Sequence, residues 1–301
     1  MTEQVPYLAP GLWGVLATPF SGTELAVDTD SLRREVRLYT ALPATGMVVL
    51  GVFGEGASLT AKEQSLTVRT VADEARDTPL VVGLSARTTA VIIEQAFTAV
   101  EAAGSNLAAL MVQANTADPG VLAAHLQAIH RATGAGIVLQ DYPVASGVKI
   151  GVDQILTVLS RCDFIVAVKS EAPPTASAIA KLTRATGVPV YGGLGGVGLL
   201  DELAAGAAGA MTGFSHPEGL HAALSAFADG GFPKARDAFA GWLPLANFEG
   251  QPGVGLALRK EILRRRGIIA DASVRPPAPP LTGELADLIE GHLDAVRREL
   301  A

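Results

Sequence analysis

A lysine and a glutamate, two positions apart, end a short hydrophobic run in the middle of this 301-residue chain. Residues 164–168 lead directly into Lys169, and Pro173-Pro174 follows Glu171. Short β-branched runs are typical of buried strands. Because side chains alternate along a strand, Lys169 and Glu171 should share one face, roughly 7 Å apart at the backbone. A lysine amine removed from water can form a Schiff base with a carbonyl compound. The alternative is a structural ion pair at the strand end.

The predicted elements around this pair alternate strand and helix. We predict eight strands at 13–20, 47–53, 80–84, 108–113, 137–142, 164–169, 188–192 and 210–214, each followed by a helix. Two helix starts are well marked, since Thr60 with Glu63 forms a capping box and Asp118 precedes Pro119. Eight such units are the count of a (β/α)8 TIM barrel, with a doubly wound open sheet as the alternative. Of the six lysines, only Lys169 ends an apolar strand.

Further helical patterns follow the eighth unit. They cover 233–247, 253–267 and 283–299, and a proline-rich connector at 275–280 joins the last two. We therefore predict a barrel at 1–230 and a C-terminal helical extension at 231–301 that packs on the barrel.

Composition restricts the partners and the compartment. The net charge of −7 argues against nucleic acid and anionic membrane surfaces. No apolar stretch is long enough to span a bilayer, no signal peptide is visible, and Cys162 is the single cysteine. We expect a cytoplasmic protein with neither a nucleic-acid partner nor a membrane partner.

Two ligand motifs are weak, and we predict no cofactor and no metal. The run at 193–198 fits the glycine pattern of dinucleotide sites, but it lies in the seventh unit and lacks an evident acidic partner. The histidine pairs lack the i, i+4 spacing of a helical metal site.

In such a barrel the active site lies at the C-terminal ends of the strands. Lys169 and Glu171 are the predicted catalytic residues there, with Tyr142 after the fifth strand as a third candidate. The substrate-binding candidates follow the second, fifth, seventh and eighth strands, and they are Gly51, Val52, Phe53, Gly54, Gln140, Gly193 and Ser215. Glycines let backbone amides approach a ligand closely.

These landmarks together resemble the dihydrodipicolinate synthase / N-acetylneuraminate lyase superfamily of class I Schiff-base lyases. The resemblance spans nearly the whole chain and depends on Thr18-Pro19-Phe20, Gly51-x-x-Gly54-Glu55 with Ser58-Leu59-Thr60, Pro143 with Gly147, Lys169 and Arg275-Pro276-Pro277. It implies an imine between Lys169 and C2 of a 2-keto acid such as pyruvate, with the loop at 51–55 holding the substrate carboxylate. It also implies a homo-oligomer, a dimer or a tetramer.

The sequence departs from the superfamily pattern at several functional positions. Val52 and Phe53 replace two threonines, Gln140 replaces the proton-relaying tyrosine, and Ala145 replaces the arginine that holds a second carboxylate. These changes argue against a true dihydrodipicolinate synthase.

Three short segments look most like 2-keto-3-deoxy-L-arabonate dehydratases. They are Gln140-Asp141, Lys169-x-Glu171 and the stretch from Trp242 to Glu249. We therefore predict a dehydratase of a 2-keto-3-deoxy sugar acid, in which Glu171 removes the C3 proton and Tyr142 or Ser215 assists the leaving hydroxyl. A pyruvate-dependent class I aldolase and a barrel that binds keto acids without turnover are the alternatives.

Overall fold

Eight short parallel strands close into a barrel in the computed structural model, which describes residues 5–299. The barrel strands are β1 (Gly11–Val15), β4 (Gly46–Val49), β5 (Leu80–Leu84), β6 (Leu107–Gln113), β7 (Ile137–Asp141), β8 (Ile165–Ser170), β9 (Val190–Gly192) and β10 (Gly209–Thr212), and two further strands, β2 (Phe20–Ser21) and β3 (Ala26–Val27), lie outside the barrel. Strand β1 pairs with both β4 and β10, which closes the barrel, while β2 and β3 form a small antiparallel ribbon. The predicted TIM barrel is confirmed, and the open-sheet alternative is wrong.

Helices follow the barrel strands and then continue beyond the last one. They are α1 (Thr29–Ala41), α2 (Ala61–Ala75), α3 (Thr89–Ala103), α4 (Pro119–Thr133), α5 (Pro143–Ser146), α6 (Val152–Leu159), α7 (Thr175–Ala185), α8 (Leu199–Ala204), α9 (Pro217–Phe239), α10 (Leu243–Glu249), α11 (Gly255–Arg265) and α12 (Gly283–Glu299). The capping box of Thr60 and Glu63 is present with both of its hydrogen bonds, and Asp118 caps α4 ahead of Pro119. No described helix is long and apolar enough to cross a bilayer.

The first two strands end earlier than predicted, and backbone contacts explain both differences. After β1 the Ala17 amide donates to the Glu35 side chain (2.9 Å) instead of to a strand. After β4 the chain turns at once, because Leu50 adopts a left-handed φ of 60°. Residues 51–55 therefore form a loop rather than the end of a strand.

Alternating side chains fill the barrel interior. The buried cluster in the interior contains Leu8, Trp13, Val15, Val48, Val81, Ala109, Met111, Val138, Val166, Ala167, Tyr191 and Met211. Tyr191 donates its hydroxyl to the Ala9 carbonyl (2.8 Å), so its polar end points toward the N-terminal segment. Because Ala167 faces inward, the same alternation directs Lys169 and Glu171 inward above this apolar layer.

The last helices pack on one side of the barrel. A second core joins α9 to α12 with the end of β10, and its larger members are Phe214, Leu220, Phe239, Trp242, Leu245, Leu258 and Ile289. Helical dihedrals are interrupted inside α9 at Gly230 and Gly231. The division into 1–230 and 231–301 stays a prediction.

A buried carboxyl group on α1 fixes the end of β1. Glu35 Oε1 accepts the Ala17 amide, whereas Oε2 has no hydrogen-bond partner among the described residues. Burial raises the pKa of Glu35 to about 8, and the nearby Lys260 ammonium opposes this shift only in part. Between pH 4.5 and about pH 8, Glu35 therefore keeps its proton in the folded chain but loses it in the unfolded chain.

We predict that Glu35→Gln removes a pH-dependent loss of stability. Stability that depends on the neutral carboxyl is fully present at low pH and is lost as the pH rises from about 4.5 to about 8. The free energy of unfolding of the wild type should therefore fall between pH 5 and pH 8 by about 1 kcal/mol or more relative to that of Glu35→Gln. Urea denaturation at both pH values measures this difference. The exposed Glu24→Gln is the matched control, and parallel curves for Glu35→Gln and wild type would contradict the prediction.

Candidate active site

Lys169 lies near the end of β8 and forms an ion pair with Glu171. Its Nζ atom is 3.2 Å from Glu171 Oε2, and both side chains are almost fully buried. Gln140 lies opposite Lys169 in the β7–β8 register and donates from Nε2 to the same Glu171 oxygen (2.6 Å). The predicted proximity of Lys169 and Glu171 is confirmed, and Gln140 joins them.

The loop after β9 holds the second oxygen of Glu171. The Leu194 amide donates to Oε1 (3.2 Å), and the carboxylate lies against the Cα of Gly193. A Cβ atom at Gly193 would lie 2.2 Å from Oε1, so only glycine leaves room for this carboxylate. Gly193 therefore contacts Glu171. The Leu194 amide, which belongs to the glycine-rich run at 193–198, already donates its hydrogen bond to Glu171.

Burial and the charge of Glu171 change the ionisation of two neighbours. Burial raises the pKa of Asp141 to about 6, and the Glu171 charge adds to the shift. The same two causes raise the pKa of Tyr142, while Arg259 lowers it. Tyr142 is half-buried where α5 begins, and its hydroxyl has no hydrogen bond within residues 5–299. Tyr142 is therefore neutral at neutral pH, whereas Asp141 becomes mainly neutral only below about pH 6.

The loop after β4 is held from both sides. Thr18 donates from Oγ1 to the Gly54 carbonyl (2.6 Å), and a Cβ at Gly54 would lie 3.0 Å from the Leu16 carbonyl oxygen. At its far end, Glu55 forms a buried ion pair with Lys260 of α11 and accepts the Arg275 amide (2.9 Å). The loop position is thus fixed by β1 and by the C-terminal helices.

Val52 and Phe53 replace hydroxyls with hydrocarbon in this loop. Val52 is 45% exposed, whereas Phe53 is half-buried. A Cβ at Gly213 would lie 2.5 Å from the Phe53 ring, so Phe53 packs directly over the end of β10. Gly51 is buried against Val15 and Met111 at the top of the interior cluster. Any polar contact from residues 51–54 must therefore come from backbone atoms.

Ser215 lies in a different group from the Lys169 cluster. It is fully buried, and its hydroxyl donates to Glu249 while lying 2.9 Å from His216 Nδ1. Burial, with Arg266 and Arg297 nearby, lowers the pKa of His216 to about 3, so this imidazole is neutral. The structure does not bring the Ser215 hydroxyl to Lys169.

Arg259 is a residue of this region that sequence reasoning missed. It lies on α11, yet its guanidinium carbon is 5.3 Å from the centre of the Phe53 ring. Its Nε atom is 3.4 Å from Glu249 Oε2. Nothing in the local pattern of α11 distinguishes Arg259 from the arginines that follow it, so only the fold reveals its position.

The site as described consists of an amine, carboxyl groups and amides. Within residues 5–299, no group of three or more histidine, cysteine, aspartate or glutamate side chains could hold a metal ion. An amine beside an oriented carboxylate can carry out nucleophilic addition to a carbonyl and proton transfer.

Known proteins match this chain over almost its entire length. A family model described as the Dihydrodipicolinate synthetase family covers residues 9–295. The chain is 29% identical over 283 residues to L-2-keto-3-deoxyarabonate dehydratase of Azospirillum brasilense, covering 90% of this chain and 89% of that protein. It is 30% identical over 305 residues to 4-hydroxy-tetrahydrodipicolinate synthase of Corynebacterium aurimucosum, covering 100% and 97%.

Solved structures show the same architecture. The crystal structure of dihydrodipicolinate synthase from Rhodopseudomonas palustris superposes with a TM-score of 0.89 at 26% identity, covering 97% of this chain and 99% of that one. The resemblance recognised in the sequence is thereby confirmed. With a family model that extends from residue 9 to residue 295 and a barrel of the same form, this chain belongs to the dihydrodipicolinate synthetase family.

Proposed function

We propose that this protein is a Schiff-base-forming lyase that dehydrates a 2-keto-3-deoxy sugar acid. The observation that carries the proposal is the buried Lys169 amine 3.2 Å from a Glu171 carboxylate. Gln140 and the Leu194 amide fix the orientation of that carboxylate. An amine for imine formation and a base for proton removal are thus available in one place.

In the first step, Lys169 forms the imine. The ammonium transfers a proton to Glu171, and the free amine attacks C2 of the keto acid. The carbonyl oxygen gains two protons and leaves as water, which produces a protonated imine. The positive nitrogen then withdraws electrons from C2 and makes the C3 protons acidic.

In the second step, Glu171 acts on the substrate carbon chain. Its carboxylate removes one C3 proton, and the electron pair of that bond forms an enamine. The enamine expels the C4 hydroxyl, which takes a proton from Glu171 or Tyr142 and leaves as water. Hydrolysis of the resulting unsaturated imine releases the product and restores the Lys169 amine.

The dehydratase assignment within the family has two supports. The first is similarity over 90% of the chain to a protein named L-2-keto-3-deoxyarabonate dehydratase. The second is the role of Gln140, which donates to Glu171 and thereby leaves the carboxylate as the proton-transferring group. Several relatives are named 4-hydroxy-tetrahydrodipicolinate synthase, but Val52, Phe53 and Ala145 lack the polar groups that the resemblance associates with that activity.

A class I aldolase remains the second candidate, because retro-aldol cleavage uses the same imine. A barrel that binds keto acids without turnover is the third. We also propose a cytoplasmic homo-oligomer, a dimer or a tetramer. Exposed apolar side chains on the neighbouring helices α3 and α4, Val91, Phe97 and Val121, support a contact between subunits.

We predict that Lys169→Ala abolishes covalent trapping of pyruvate. Borohydride reduction should attach pyruvate to the wild-type peptide that contains residue 169, because reduction makes the imine permanent. Peptide mass spectrometry measures the adduct, and the exposed Lys149→Ala is the matched control. If Lys169 of the wild type stays unmodified, the imine mechanism is contradicted and the binding-only alternative is favoured.

We predict that Glu171→Gln keeps the pyruvate adduct, formed more slowly because solvent must take the Lys169 proton, but loses turnover of a 2-keto-3-deoxy sugar acid. Loss of a positioned general base should lower kcat by about 10²- to 10⁴-fold. Normal kcat in this variant would assign Glu171 a purely structural role beside Lys169.

Gly193→Ala provides a test of Glu171 that leaves its chemistry intact. The new Cβ would displace the carboxylate, so kcat should fall in the same direction as in Glu171→Gln. Gly187→Ala is the control, because no atom lies within 4 Å of a Cβ at that position.

Product analysis distinguishes dehydration from aldol cleavage. With 2-keto-3-deoxyarabonate, loss of the C4 hydroxyl followed by tautomerisation should produce a five-carbon keto-acid semialdehyde and no pyruvate. Chromatography with mass detection separates the two outcomes. Pyruvate accompanied by a two-carbon aldehyde would identify an aldolase.

A further inference from the structure

We infer that Arg259 binds a carboxylate group of the substrate, an inference that rests on the proposed function. The guanidinium lies at the same end of the barrel as Lys169, although it belongs to the C-terminal helix α11. This assignment supplies an anion-binding side chain to a site whose β4 loop offers none.

The first support is that Arg259 is half-buried and makes no hydrogen bond among the described residues. Its side chain is 12% exposed, and within residues 5–299 none of its nitrogen atoms makes a hydrogen bond. A guanidinium has five N–H donors, and leaving buried donors without acceptors is unfavourable. The Nε atom is completely enclosed, so the exposed fraction belongs to the rest of the side chain.

The second support is that Glu249 neutralises Arg259 incompletely. Glu249 Oε2 lies 3.4 Å from Arg259 Nε and also accepts the Ser215 amide (3.1 Å), while Oε1 accepts the Ser215 hydroxyl. Burial raises the pKa of Glu249, and the Arg259 charge opposes this shift only in part. The guanidinium therefore retains positive charge and free donors for another anion.

The third support is position. A Cβ at Gly195 would lie 2.2 Å from Arg259 Nη2, and Gly193, two residues earlier, lies against Glu171. The same short loop thus separates the guanidinium from the catalytic carboxylate. Tyr142 lies within the electrostatic influence of both charges. Arg259 and Glu171 accordingly both lie against the loop at 193–195.

A carboxylate fits this environment better than a neutral ligand. The planar guanidinium fork matches the two oxygens of a carboxylate, and such charge-assisted bonds are strong. The carboxylate could be the C1 group that every 2-keto acid carries, or a second carboxylate at the distal end of a dicarboxylic keto acid. Either carboxylate would make the same contact with Arg259, and two probe ligands distinguish the two cases.

The experiment measures binding of pyruvate and 2-oxoglutarate by isothermal titration calorimetry. Pyruvate has only the C1 carboxylate, whereas 2-oxoglutarate also has a distal one. The variants are Arg259→Gln, which removes the charge, and Arg259→Lys, which keeps the charge but removes the fork. Arg236→Gln is the matched control, because Arg236 is exposed and lies outside the site. Thermal unfolding of each variant verifies that it is folded.

If Arg259 binds C1, Arg259→Gln should raise Kd about 10-fold or more for both ligands. If it binds a distal carboxylate, Kd should rise only for 2-oxoglutarate, and the preference for that ligand over pyruvate should disappear. Arg259→Lys should give an intermediate Kd, and it decides the question if Arg259→Gln does not fold. Unchanged Kd values for both ligands, or a wild type that binds neither, would overturn the inference.

Failure of the proposed function would produce a different result. In that case the wild-type protein would still bind a keto acid through Arg259 in the calorimeter. Borohydride would nevertheless leave Lys169 unmodified.

Discussion

The contact between Lys169 and Glu171 is the constraint on which the rest of the site depends. Removing two charges from water is costly, and their attraction compensates only when the remaining hydrogen-bonding capacity is used. Gln140 and the Leu194 amide meet that requirement by donating to separate oxygens of Glu171. A buried ion pair is weak support for stability in general. Its retention at the end of a barrel strand is instead consistent with chemistry that needs proton exchange between amine and carboxylate.

Backbone geometry supplies the space for this pair. Strand alternation directs both side chains inward above an apolar interior. Gly193 then leaves room for the carboxylate, whereas a side chain there would occupy its place. Close packing transmits small displacements directly. For this reason the conformation of the loop after β9 determines the position of the Glu171 carboxylate.

Much of this arrangement follows from the sequence by simple rules. The strand period, the capping box and the count of eight units predicted the barrel, and alternation predicted that Lys169 and Glu171 face the same way. The early end of β4 was not predictable, because Leu50 adopts a backbone conformation that its residue type rarely takes. Ser215 was placed correctly at a strand end, but its partner Glu249 comes from a distant helix. Arg259 was missed for the same reason, since long-range packing brings it to the site.

Helix α11 ties the C-terminal segment to the chemistry of the barrel. Its consecutive residues Arg259 and Lys260 contact, respectively, the ring of Phe53 and the carboxylate of Glu55, which belong to the same loop. Barrel and tail consequently form one packed unit around this loop, although they are far apart in sequence. A chimera joining the barrel of one relative to the tail of another would separate Arg259 and Lys260 from the loop that they contact here. Recombination between family members is thus constrained at this junction by the packing of α11 on the loop after β4.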